Sequence, residues 1–232
     1  MKNIIAALGL AVIFLSSCGN NANVQQDAQA FIDKYTEEYV KLYAAASEAQ
    51  WQFNIKIVEG DETNKLAAQA ADEAMAAFTG STENIEQARK FLQSKDQLTD
   101  IQVKQLEGIL YSAANNPQTV ADMVKERIKA ETNQTEKLYG FQYMLGDKKV
   151  STNDLDEVLK TENNIDKRLA AWTASKEVGA PLKEGLANLR DLRNSTVQAL
   201  DYNDYFTYQV SDYKMETTEM METMERLMGE LY

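Results

Sequence analysis

Between Ala28 and Phe53, apolar and aromatic residues return at alternating intervals of three and four: Ala28, Phe31, Tyr35, Tyr39, Leu42, Ala46, Ala49 and Phe53. That period is the signature of a helix with one continuous apolar face. It predicts a single helix from about Gln26 to about Ile57, with Tyr43 and Trp51 widening the stripe. A helix this long must lie along other helices, because its seam is too extended for a sheet strand or a loop to cover. Only two prolines interrupt the whole chain, Pro117 and Pro181. The sequence therefore reads as all-α: a multi-helix array built on one long N-terminal helix.

The rest of the chain repeats the period in shorter segments. Gly60-Asp61 breaks the first helix. An alanine-rich helix follows from Asn64 to Phe78, with Leu66, Ala67, Ala70, Ala71, Ala74 and Phe78 expected on its buried face. Gly80 closes it, and Ser81 or Thr82 caps the next helix, which buries Ile85, Ala88, Phe91 and Leu92. A further helix spans Thr99 to about Ala114, with Ile101, Leu106, Ile109, Leu110 and Ala113 inward. Asn115-Asn116-Pro117 reads as a stop and restart before a helix led by Val120, Val124 and Ile128. Over Tyr139 to Ser151 a short hairpin turning at Gly146-Asp147 and a loop with a helical stub fit equally. Helices resume from Asn153 to Lys160 and from Ile165 to Val178, where Gly179 is expected as the C-cap. Pro181 opens the next helix. Asp201 to Phe206 reads as a turn or stub, and a helix from Thr217 carries Met220, Met224, Leu227, Met228 and Leu231 on one stripe.

The N-terminus carries a different signal. Lys2 precedes a short apolar run, Ile4 to Leu15, below the roughly 20 residues that span a bilayer. Small residues then lead to a cysteine in Leu15-Ser16-Ser17-Cys18. The pattern is a secretory signal and resembles the bacterial lipobox, in which the cysteine is lipidated. Three regions follow: a signal peptide over 1–17, a lipidated tether over 18–26 and a helical region over 27–232. Cys18 is the sole cysteine, which excludes an intramolecular disulfide. Gly19 is not aspartate, so by resemblance to the proteobacterial sorting rule the expected destination is the outer membrane, facing the periplasm, with the lipid on Cys18 as the membrane contact. A net charge of -12 argues against nucleic acid as a partner.

The chemistry is constrained by what is missing. The chain has no histidine, which removes imidazole zinc sites, Ser-His-Asp triads and imidazole acid–base catalysis. With Cys18 committed to lipid, no thiol nucleophile remains. No phosphate loop or dinucleotide fingerprint occurs. Carboxylates are close in sequence at Asp154, Asp156 and Glu157, and at Glu219 and Glu222. Among 36 acidic residues such pairs arise on solvated helix faces by chance. No catalytic residue and no metal ligand are assigned.

Several segments carry a resemblance. AQAFIDKYTEEYVKLYAAASEAQW, from Ala28 to Trp51, resembles the first helix of the M2 metallopeptidases, the angiotensin-converting-enzyme family. LDEVLK at Leu155 to Lys160, LAAW at Leu169 to Trp172 and KEVGAPL at Lys176 to Leu182 resemble the same family in the same order. MERLMGELY, from Met224 to Tyr232, resembles the helix before the peptidase core. The resemblance implies a periplasmic zinc peptidyl-dipeptidase: a two-lobed helical ellipsoid around a deep channel, with its first helices as a lid, and with zinc and chloride as cofactors. The family's H-E-x-x-H and its glutamate ligand have no counterpart here, so no cofactor is assigned to this chain and it is expected to be inactive alone. The family's chloride-binding arginine has no clear match, although Lys176 lies near its position. Tyr213, in SDYKM, falls where some members place a chloride-contacting tyrosine. The stripe running to Leu231 predicts a chain cut within a longer protein, whose missing C-terminal peptidase portion would be its partner. The rival reading is a free-standing helical lipoprotein that binds a periplasmic partner or peptide.

Overall fold

The computed structural model describes residues 17–57, 60 and 62–231, with side chains from 23 onward. The apolar run of the signal lies outside the described residues, as does the side chain of Cys18. Ten α-helices and one two-stranded sheet make up the described chain. Helix α1 is Ser17–Asn54, α2 Glu62–Thr79, α3 Thr82–Leu92, α4 Asp100–Ala114 and α5 Ala121–Tyr139. Strands β1 (Tyr143–Leu145) and β2 (Lys148–Val150) follow, then α6 (Thr152–Thr161), α7 (Ile165–Lys176), α8 (Gly179–Gln198), α9 (Tyr205–Ser211) and α10 (Thr217–Leu231). None of the described helices is long and apolar enough to cross a membrane.

The long helix forms as its stripe predicts, but it already runs at Ser17, ahead of the expected start near Gln26. The segment read as a tether is helical because extending an existing helix adds a hydrogen bond per residue without a new nucleation cost. Ala28, Ile32, Tyr35, Ala46 and Phe53 of α1 are buried, whereas Tyr43 and Trp51 stand in solvent. Helix α2 runs back along α1: Tyr35 meets Phe78 at 4.9 Å between ring centroids, and Gln50 donates to Asp72 at 2.6 Å.

The buried face of α2 is not the expected one. Ala68, Gln69, Ala76 and Thr79 are inward, while Leu66 is exposed and Ala67, Ala70 and Ala74 face outward with it. Alanine on nearly every side makes the apolar direction of this helix weak. Polar groups with partners decide its rotation instead: Asp72 with Gln50, and Thr79 with Asn116 at 3.0 Å.

Caps set the other boundaries. Ser81 accepts from the Asn84 amide at the start of α3. Thr99 and Gln102 form a reciprocal capping box on α4, and Ser151 and Asp154 form another on α6. The segment after α5 is a hairpin, Tyr143 opposite Val150, turning at Gly146 with φ +61. Tyr143 joins Leu155, Ala171 and Ala174 in a local core that binds the hairpin to α6 and α7. Gly179 is not a C-cap. Glu177 caps α7, and Gly179 opens α8 without a left-handed φ, so Pro181 sits in a first turn where its missing N–H costs nothing.

Helix α5 lies antiparallel to α8, with Glu131 beside Arg193 and Gln134 against Gly185. A second tie fixes the α1–α2 turn to α5. Lys65 Nζ donates to Glu136 at 2.7 Å, with both side chains nearly buried, and the Gly60 amide donates to the same carboxylate at 3.1 Å. The hydrogen bond from Lys65, ahead of the Gly60 amide, holds Glu136 below the usual carboxylate range. A carboxylate with a depressed folded pKa adds stability above its unfolded pKa and loses it as pH falls through the folded one. Glu136→Gln should therefore cost about 1.5–3 kcal/mol near pH 7. The difference from wild type should shrink as the pH falls below about 4. Paired thermal melts at pH 7 and pH 3.5 measure it; a constant difference would refute the coupling.

Candidate functional site

Helix α10 is the element least used by the fold. It has no buried residue and packs chiefly against α9. Met221, Met224, Leu227, Met228 and Leu231 are 49%, 51%, 43%, 54% and 77% exposed. Their spacing places them along one side of the helix. Two charged residues of α10 are satisfied among themselves, Arg226 donating to Glu230 at 2.8 Å. Four of the five residues expected on the stripe are exposed; Met220 is half-buried instead, and Met221 takes an outward place. A second open face lies on α7, where Ile165, Leu169 and Trp172 recur at helical spacing and are all exposed. Lys176 lies 5.5 Å over the Trp172 ring, a cation–π contact that steadies both.

Between α2, α5 and α8 runs a polar stitch that the sequence reading did not single out. Arg127, only 4% exposed, donates to Glu131 at 2.9 Å and to Asn116 Oδ1 at 2.8 Å. Arg193 donates to the other Glu131 oxygen at 3.1 Å and sits 5.1 Å from the Tyr205 ring. One glutamate thus joins α5 to α8, and through Asn116 and Thr79 the link reaches α2. The signal was present in the pattern: Arg127 follows Val124 by three and adjoins Ile128, so it falls on the inward face of its helix. Asp72, half-buried nearby, has its pKa raised by burial. The arrangement is that of a bracing network, with no nucleophile beside a base.

Tyr213 lies just past α9, exposed, its amide donating to the Val210 carbonyl at 3.0 Å. Lys214 follows with φ 57 and reaches Glu107 at 3.3 Å. Lys176 ends a different helix. The Tyr213 phenol stands in solvent beside Asp212, and the neighbouring Lys214 is ion-paired. Cys18 lies in the first turns of α1 by its backbone.

A family description of the M2 peptidases, angiotensin-converting enzyme, matches residues 22–232. The chain belongs to the M2 peptidase family. The all-helical architecture suits that membership, and the match runs from residue 22, within α1, through α10. M2 peptidases are zinc enzymes, and the residues present do not fit the metal. There is no imidazole in the chain, and among the described residues no three or more Cys, Asp or Glu side chains are gathered to hold an ion.

Proposed function

We infer that this chain supplies the lid-bearing helical region of an M2 zinc peptidyl-dipeptidase, and that the zinc-binding residues belong to other polypeptide. The observation that carries the reading is α10: a regular helix whose apolar stripe has no cover, in a family in which the matching helix leads into the peptidase core. The long α1–α2 pair, pinned by Lys65 and Glu136, would be the lid over the peptide channel. The chain alone should release no dipeptides from peptide C-termini, with or without zinc, because no imidazole is available to fix the metal. Co-expression with a polypeptide that carries the family's H-E-x-x-H segment should give chelator-sensitive dipeptide release. Activity of the purified chain alone, or no rescue by the added segment, would overturn the reading. The rival is a free-standing lipoprotein that uses the α10 face to bind a periplasmic partner, and it predicts no rescue.

The same proposal places the protein on the outer membrane, facing the periplasm, held by lipid on Cys18. Cys18→Ser should move it from the membrane fraction to the soluble periplasm and abolish incorporation of labelled lipid. Unchanged fractionation of the variant would remove the anchor from the proposal.

A further inference from the structure

Methionine is concentrated toward one end of the chain. Five of its nine methionines, Met215, Met220, Met221, Met224 and Met228, fall within the 14 residues 215–228. Met221, Met224 and Met228 stand at intervals of three and four on α10. At about 100° per residue they lie within about 60° of one another around the helix. All three are close to half exposed, and no residue of α10 is buried. The methionines elsewhere in the described fold are placed differently. Met75 of α2 and Met123 of α5 are half-buried, and Met144 on β1 is 37% exposed. A stripe that had only to be apolar and helical could be leucine throughout, as Leu227 and Leu231 already are. Methionine adds three exposed thioethers to one side of one helix.

We propose that Met221, Met224 and Met228 form a site of reversible oxidation by hydroperoxides, and that sulfoxides at these positions block docking of the α10 face. The inference rests on the reading of α10 as a docking face and adds a control to it. In the reaction the distal oxygen of the peroxide is transferred to Sδ. The O–O bond breaks as the S–O bond forms. The sulfur is oxidised by two electrons, and the peroxide is reduced to water, or to an alcohol if it is organic. The proton of the transferred oxygen ends on the departing one. Exposure sets which sulfur reacts, and the sulfoxide turns a flexible apolar side chain polar. Three such groups on one side of the helix must then be desolvated in any contact. The fold is spared, because nothing in α10 is buried. Cys18 is the only cysteine, so no disulfide within the chain answers to the oxidant in their place. Methionine sulfoxide reductases, one for each sulfoxide epimer, restore the apolar face.

Dilute hydrogen peroxide on the full chain, followed by peptide mass spectrometry, sedimentation velocity and dye binding, tests the proposal. Met221, Met224 and Met228 should be oxidised about threefold or more faster than Met75 and Met123. Self-association through the α10 face should then weaken roughly tenfold or more. It should return after treatment with both sulfoxide reductases, and the melting point should not move. A triple variant, Met221→Leu with Met224→Leu and Met228→Leu, keeps the stripe apolar and leaves nothing on it to oxidise. Its own association, whatever its strength, should not respond to peroxide even though Met144 is still oxidised, which separates the α10 thioethers from general damage. Equal oxidation rates across the methionines, association unchanged with the three sulfoxides in place, or a triple variant that dissociates in peroxide would overturn the proposal. So would a wild type that neither associates nor binds dye, because no contact would then exist to break. Rescue by the H-E-x-x-H segment is the separate test of the peptidase reading, so the two failures are told apart.

Discussion

Gly80→Ala should destabilise the protein by about 3 kcal/mol or more, although it adds one methyl group. Gly80 ends α2, its amide bonded to the Ala76 carbonyl and its own carbonyl accepting from the Gln118 amide, both at 2.9 Å. A Cβ there would lie 1.6 Å from the Asn116 carbonyl oxygen and 2.4 Å from its carbon. Both are backbone atoms, so no side-chain rotation relieves the overlap. The α2–α3 turn must move away from the segment before Pro117. That motion strains the Gly80–Gln118 bond and the Asn116 contacts with Thr79 and Arg127 together. For a chain of this size the loss corresponds to a melting point lower by roughly 6–12 °C. Gly108→Ala is the internal comparison: its methyl meets only open space, and the variant should gain about 0.5–1 kcal/mol. Melts of the two variants should shift in opposite directions, and a Gly80→Ala protein that melts with wild type would refute the argument.

That contrast marks how far the sequence could be read. Strong local chemistry was legible. The stripe from Ala28 to Phe53 and the cap at Ser81 each rest on neighbours a few residues away, while the hairpin at Gly146 stood open against a loop with a helical stub. Features set by distant partners were not. The buried side of α2 depends on Gln50 and Asn116, which no alanine pattern discloses. Gly179 looked like a helix stop because glycine often is one, yet Pro181 two residues later already begins a new first turn. Glycines 80, 108 and 185 look alike in sequence but differ entirely in space. One abuts a backbone carbonyl, one faces open space, and one receives the Gln134 amide, whose nitrogen would lie 1.7 Å from an added Cβ. The candidate site divides the same way. The α10 stripe is a periodic pattern and was legible. The Glu131–Arg193 link joins residues 62 positions apart and was not.

The α10 stripe supports the second large effect. Met224→Glu with Met228→Glu should convert a self-associating, dye-binding protein into a monomer. Five apolar side chains exposed along one helix face form a patch of the kind that drives association when nothing covers it. Two carboxylates in its middle would have to be desolvated in any contact, which disfavours pairing strongly. The fold itself should barely notice. Both methionines are about half-exposed, so each new carboxylate reaches water. Repulsion between the two at a spacing of four, and their place toward the negative end of the helix dipole, costs a few tenths of a kcal/mol each. The sum should stay within about 1 kcal/mol. Sedimentation velocity and dye fluorescence read the association, and a thermal melt reads the stability. A wild type that is monomeric and free of dye would mean that the stripe is wetted without consequence. A variant that loses several kcal/mol would mean that the two methionines are packed in solution, because only a buried carboxylate carries a penalty that large.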